Sequence, residues 1–173
     1  VADPEGEYIV ANVLHPDLRR RFDIVMSERC LINLSNWEDQ QTAIRNMSAM
    51  TRAGGHVLLC ENTADGLNRL NAVRASVHLP PIAMRWHNRY MLERDLDDFL
   101  VRSFRRVTKR NIGSFYMLCS KVLYPLMAGV TGEEVRYDHP LNVAASIMDV
   151  AIAGFSPNHI YVCEVESDIG EVQ

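Results

Sequence analysis

No glycine pair of the G-x-G type occurs in the 173 residues, and the only glycine ahead of Phe22 is Gly6. A backbone that cradles a phosphate or a nucleotide needs such glycines for its close approach. The chain therefore carries no such cradle of its own. The six histidines are scattered without an H-x-x-x-H pair, which excludes the helix-borne zinc motif, and no metal site is expected. The four cysteines, Cys30, Cys60, Cys119 and Cys163, fit no metal-ligand spacing. Three of them sit in apolar runs, so they read as buried free thiols of a reducing compartment, and a cytoplasmic location is expected. No apolar run reaches the roughly 18 residues of a membrane span, and no secretory signal is visible. A chain that opens on Val1 rather than Met is expected to have lost an N-terminal segment.

Basic excess is lacking too. Eighteen Lys and Arg face 22 Asp and Glu, a net charge of −4, which argues against nucleic acid as partner. The one basic cluster, Arg102 to Arg110, reads as a solvated helix end or strand edge. What is present is globular composition, 47% hydrophobic and 23% charged, in a length that suits one domain. Residues 1–165 read as one unit and residues 166–173 as an acidic tail, with no internal repeat.

Short apolar runs predict strands at Glu7–Val13, Phe22–Ser27, His56–Glu61 and His159–Val165, and a long strand beginning at Ser114 in the run to Met127. Runs apolar throughout suit parallel strands covered on both faces. Helices fit between them. Ser35 with Glu38 forms a capping-box pattern, and Gly54-Gly55 is expected to stop the helix that follows. Further helices are predicted at Asp65–Val77, Leu92–Ser103 and Leu141–Ile152 from their apolar spacing. Strands alternating with helices predict an α/β sheet.

In such sheets ligands bind outside the carboxyl ends of the strands. Asn12, then Ser27, Glu28 and Arg29, then Glu61 and Asn62, fall at three successive predicted ends. Contact with water explains any one of them; three together point to a site.

The stretch "RRFDIVMSERCLINLSNWEDQQTAIRNMSAMTRAGGHVLLCENT" resembles the second half of class I S-adenosylmethionine-dependent methyltransferases. The family's fourth strand, its helix, a K-P-G-G turn (here "TRAGG", with Ala53 where proline is usual) and its fifth strand align in that order. The segment Gly66–Met91, with its "WHN", looks like a family subgroup, and "AGFSPNHIYVCEV" is similar to the family's antiparallel last strand. The resemblance implies the carboxyl-terminal part of a Rossmann-like methyltransferase domain: a mostly parallel sheet with an antiparallel last strand and helices on both faces. It implies S-adenosylmethionine as cofactor, with Asn12 and Val13 beside the adenine and Ser27, Glu28 and Arg29 beside the methionine part. Asn12 stands where the family usually has aspartate. The family's Gly-rich loop and its ribose-binding carboxylate have no counterpart, so the chain alone is not expected to bind the cofactor tightly.

Methyl transfer is an in-line displacement, which demands alignment above all; a hydroxyl acceptor also needs a general base. The resemblance makes His87 and Glu61 the candidate bases. Asn62, Trp86, Asn88 and Tyr116 become candidate acceptor contacts, with Tyr137 as a further one. The plain alternatives are a satisfied helix-start ring for His87, core packing for Trp86, and pairing of Glu28 with Arg29. The expected acceptor is a small molecule or a saccharide, and an uncovered sheet edge invites homo-oligomers. Two other readings compete: a non-catalytic methyltransferase-like interaction module, and another nucleotide-binding α/β enzyme.

Overall fold

A computed structural model describes residues 6–148, 150, 152 and 154–166. Four strands form one sheet in the order β1-β2-β4-β3. They are β1 (Phe22–Glu28), β2 (Thr51–Asn62), β3 (Arg106–Asn111) and β4 (Asn158–Glu164). β1 and β2 pair in parallel, whereas β4 lies antiparallel to both β2 and β3. Three strands thus run one way and the last runs against them.

The parallel pair follows from the sequence between its members. Asn36 caps α1 (Trp37–Ala49) by accepting from the Asp39 amide at 2.8 Å. Asp39 answers by accepting from the Asn36 side-chain amide at 3.0 Å. The capping pair is therefore Asn36 and Asp39, one residue past the expected Ser35 and Glu38. Gly54 and Gly55 do not stop this helix. It has already ended at Ala49, and both glycines lie inside β2. Gly54 takes φ 72°, open mainly to glycine. A Cβ on Gly55 would stand 2.6 Å from the Asp23 carbonyl oxygen. The two glycines accommodate the irregular register between Phe22 and Ile24.

α2 (Ala64–Ser76) is capped by Thr63, and α3 (Glu93–Ser103) by Asp65, which accepts from the Glu93 amide at 2.7 Å. One core forms where Ala43, Ile44 and Met47 of α1 and Leu96, Phe99 and Leu100 of α3 meet Val57, Leu59, Tyr161 and Cys163 of the sheet. Trp37 and Phe99 join the two helices edge to face at 5.6 Å.

Two expected strands are absent. Residues 6–12 have no secondary structure, and Tyr8, Ile9 and Val10 are exposed. The run from Ser114 is helical: α4 (Ser114–Leu118), a π turn over Cys119–Leu123, and α5 (Tyr124–Thr131). Pro125 explains the irregular turn. It has no N–H to give to the carbonyl of Lys121, four residues back, and the guanidinium of the buried Arg74 takes that carbonyl instead. One strand was unforeseen. β3 occupies part of the basic cluster, so that cluster is a helix end followed by a strand edge. Arg105 and Arg106 pair with Glu164, and Lys109 pairs with Glu93 and Asp97. α6 (Pro140–Ile147) is shorter than expected; Asp149 and Ala151, and most of the expected acidic tail, lie outside the described residues.

Candidate functional site

The reversed direction of β4 decides which residues meet. Its amino end lies beside the carboxyl end of β2, pairing Asn62 with Asn158 and Glu61 with His159. The carboxyl end of β3 joins the same edge, with Asn111 opposite His159. Polar residues from all four strands thus collect along one edge of the sheet. A cleft of about 510 Å³ opens there. Glu28, Arg29, Cys60, Asn62, Asn158 and His159 line it from the strand ends, Leu67 and Leu70 from α2, and Tyr116, Met117 and Lys121 from the 114–123 helices. Arg85, Tyr90 and Tyr137 close it from the connecting segments.

Ser27 and Glu61 are brought together, but below this cleft. The Ser27 hydroxyl donates to Glu61 Oε1 at 2.6 Å, and the Leu31 amide donates to the same oxygen at 3.2 Å. Burial pushes the Glu61 carboxyl above its usual range, against the hydrogen bonds from Ser27 and from the amides of Leu31, Ile32 and Cys30. Glu61 Oε2 is buried without a partner. The polar strand ends therefore have two functions in adjacent residues. Ser27 and Glu61 pin the 3₁₀ turn Leu31–Asn33 to the sheet, and that turn carries the chain away from Glu28 and Arg29, which face the cleft. Arg29 sits at φ 50°, a left-handed conformation that costs a non-glycine residue about 1 kcal/mol. The amide of Arg29 donates to the Cys60 carbonyl at 2.9 Å and holds it there.

Asn62 is buried, and its side-chain amide donates to the Tyr90 hydroxyl at 2.9 Å. His159 is also buried. Asn111 Nδ2 lies 3.2 Å from its Nε2, and its Nδ1 lies 3.3 Å from the Pro157 carbonyl. Burial lowers its pKa, against the attraction of Glu93, and so favours the neutral ring. Glu93 anchors the polar layer behind it. Burial works to raise its pKa, but hydrogen bonds from Lys109, Arg69 and Thr63 outweigh that and hold it at about 2.

The other candidates stand apart. Asn12 caps its own turn, accepting from the Leu14 amide at 2.9 Å, and the Val13 carbonyl accepts from Asn46 at 2.9 Å. Neither lines the cleft. Trp86 and His87 occupy an exposed turn, with Trp86 94% exposed and the rings edge to face at 5.3 Å. Asn88 is buried beside them. Of the residues singled out from the sequence, Glu28, Arg29, Asn62, Tyr116 and Tyr137 share the cleft; Asn158, His159, Arg85 and Lys121 join them unforeseen.

Of the five residues expected at S-adenosylmethionine, Asn12, Val13 and Ser27 are committed to bonds within the chain. Glu28 and Arg29 leave their side chains to the cleft. The residues present fit one end of such a cofactor and not its whole length. Among the described residues, no helix is long and apolar enough to cross a membrane.

No protein-family model and no curated protein matches the chain. Solved structures do. An O-methyltransferase family protein from Burkholderia thailandensis superposes over 94% of this chain and 36% of its own, with TM-score 0.53 and 13% identity. The N-methyltransferase NodS from Bradyrhizobium japonicum, in complex with S-adenosyl-l-homocysteine, covers 89% of this chain and 50% of its own, at TM-score 0.45 and 12% identity. A phosphoethanolamine N-methyltransferase of Haemonchus contortus, in complex with phosphomonomethylethanolamine and S-adenosylhomocysteine, covers 91% and 36%, at 0.47 and 12%. The chain spans about a third of the length of the first of these. Its mixed sheet, three strands one way and the last reversed, matches part of the Rossmann-like sheet of the first of these structures.

Proposed function

We propose that the chain is the carboxyl-terminal part, residues 1–165, of a methyltransferase domain that transfers a methyl group from S-adenosylmethionine to a small-molecule acceptor. The observation that carries this reading is the strand order β1-β2-β4-β3 with β4 reversed, which gathers polar residues of β1, β2 and β4 around one cleft. When bound, the cofactor supplies a methyl group already activated by a sulfonium. Glu28 and Arg29 hold its methionine end. Tyr116 and Tyr137 flank the acceptor, with Asn62 fixed behind it through Tyr90. The work of these residues is alignment and exclusion of water, which can supply much of the acceleration of a displacement. Ser27 and Glu61 act as positioning residues, since their hydrogen bonds fix the turn beyond Arg29. His87, on the exposed turn after Arg85, is the candidate base for a hydroxyl acceptor.

Calorimetric titration with S-adenosylhomocysteine tests the reading. Micromolar binding is expected for the complete protein and much weaker binding for residues 1–173 alone. Absence of a carboxylate's hydrogen bonds to the ribose costs roughly 1.5–3 kcal/mol, about ten- to a hundredfold. Failure of the complete protein to bind would sink the proposal. In an active enzyme His87→Ala would lower turnover by about 100-fold or more if the ring is the base; unchanged turnover removes it from that role. The exposure of Ile24 and Met26 on β1 favours a second reading, a non-catalytic module that docks through its sheet. Cofactor binding separates the two.

A further inference from the structure

Three cationic side chains, Arg29, Arg85 and Lys121, line the cleft against a single carboxylate, Glu28. Elsewhere six basic residues, Arg20, Arg52, Arg69, Arg105, Arg106 and Lys109, meet a carboxylate, and others such as Arg94 and Arg110 do not; what sets the three apart is that they share one cleft. The guanidinium groups of Arg29 and Arg85 and the Lys121 ammonium make no hydrogen bond or ion pair among the described residues.

The backbone that carries each of the three is nevertheless held in place. Arg29 keeps its left-handed backbone. Lys121 stands on the π turn, half-buried, with its carbonyl fixed by Arg74. Arg85 lies on a connection clamped at both ends. Asn71 exchanges two hydrogen bonds with Ile82, at 2.8 and 3.0 Å, and Gln40 donates to the Arg89 carbonyl at 2.8 Å. π turns and left-handed residues recur where a side chain must be presented at a site. A concave, mostly low-dielectric wall with excess positive charge concentrates anions. The tyrosines add flat walls, and about 510 Å³ suits a small molecule.

We infer that the acceptor carries an anionic group, a carboxylate or a phosphate ester, which Arg85 and Lys121 bind in this cleft. This rests on the methyl-transfer reading for the word acceptor alone; the anion site stands on the cleft. The cofactor's own methionine carboxylate has the same chemistry, and the test separates the two sources.

The complete protein is titrated by calorimetry with 4-hydroxybenzoate, with its neutral amide 4-hydroxybenzamide, and with inorganic phosphate, each with and without saturating S-adenosylhomocysteine. The expected result is saturable binding of at least one of the two anions, with the benzoate about tenfold tighter than the amide wherever both bind. Affinity should drop with added salt. Arg85→Met and Lys121→Met should each weaken the anion about tenfold, with Lys121→Arg restoring most of it and circular dichroism confirming folded variants. The site should persist when S-adenosylhomocysteine is bound. Absence of saturable binding by both anions, equal affinity for acid and amide, or insensitivity to both substitutions overturns the inference. So does displacement of the anion by S-adenosylhomocysteine, which would assign the cations to the cofactor. A protein that binds the anions but never S-adenosylhomocysteine would instead overturn the methyl-transfer reading and leave the anion site intact.

Discussion

The two sides of the sheet are built from similar residues and end differently. On one side Val57, Leu59, Tyr161 and Cys163 are fully buried beneath α1 and α3. On the other, Ile24 and Met26 of β1 are 59% and 61% exposed. The two edge strands differ in the same way. β3, "RVTKRN", is short and charged, as edges that must stay unpaired are. β1, "FDIVMSE", is apolar and has no partner on its outer side among the described residues. One side and one edge of the sheet are finished; on the other side β1 keeps an exposed apolar stretch, and its outer edge has no partner among the described residues. That asymmetry is what a methyltransferase domain cut through its sheet would leave, and it is also what a docking module would show.

The largest test of the contrast compares one residue from each side. Leu59→Ala is expected to cost about 2–5 kcal/mol, because it opens a cavity between β2 and the two helices. Met26→Ala should stay within about 0.5 kcal/mol, since little is packed on it. Urea unfolding of both variants decides. Equal costs would mean that Met26 is covered in solution, and the comparison of sides would fail.

The finished side is also held by charge, which gives it a pH signature. Glu93, with its carboxyl held at about 2 against an ordinary 4.5, binds Lys109 and Arg69 between α3, β3 and α2. A depressed acid stabilises the fold above its ordinary value and loses that contribution as pH falls toward the depressed one. Between about pH 5 and pH 2 the fold should therefore lose about 3 kcal/mol from this residue. Glu93→Gln should remove that part of the acid slope and lower stability at pH 7 by a comparable amount. An unchanged slope in stability measured against pH would show that the network contributes nothing.

How much of this was readable in advance depends on direction and period. The β1-α1-β2 unit was legible because two apolar runs flank a capped helix and little else satisfies that pattern. The run from Ser114 was not: its apolar residues fit either period, and the tie-breaker is Arg74, 47 residues away in sequence, meeting the carbonyl that Pro125 leaves open. β3 was hidden because its alternation runs through Arg and Lys, which a composition reading takes for a basic patch. At the site, Glu28, Arg29 and Asn62 were legible as polar strand ends. Asn158 and His159 were not, since they open a strand instead of closing one. Only the reversal of β4 brings its amino end to that edge, and no local signal states a strand's direction. Ser27 and Glu61 looked like ligand contacts for the same reason as their neighbours; pleating turns alternate residues to opposite sides, and these two found each other.

Ser27 and Met26 are consecutive residues on opposite sides, and they sharpen the comparison at smaller scale. Ser27→Ala removes a 2.6 Å hydrogen bond to a buried carboxylate. It should cost about 1–2 kcal/mol, and it should raise the Glu61 pKa further, since that hydrogen bond lowers it. A raised carboxyl favours the fold at low pH and disfavours it as pH rises through the folded value. The cost should therefore shrink toward acid, and a pH-independent cost would show that Glu61 is protonated throughout.

The smallest expected effect on stability addresses the open side directly. Ile24→Lys and Met26→Lys place charge on an apolar, unpaired edge strand, as natural edges do. Each side chain is more than half exposed, so the monomer should lose no more than about 0.5 kcal/mol. If the side is open in the isolated chain, wild-type protein should self-associate through it as concentration rises, and the double variant should sediment as a monomer over the same range. If the complete protein covers this side with its own residues, the same pair of lysines buried there should cost several kcal/mol instead, because an unpaired ammonium group is expensive to bury. Sedimentation and unfolding of both lengths therefore read one substitution in two contexts. A small cost in both would leave the side open to a partner and favour the docking module. A large cost in the complete protein alone would show that the sheet is finished from within.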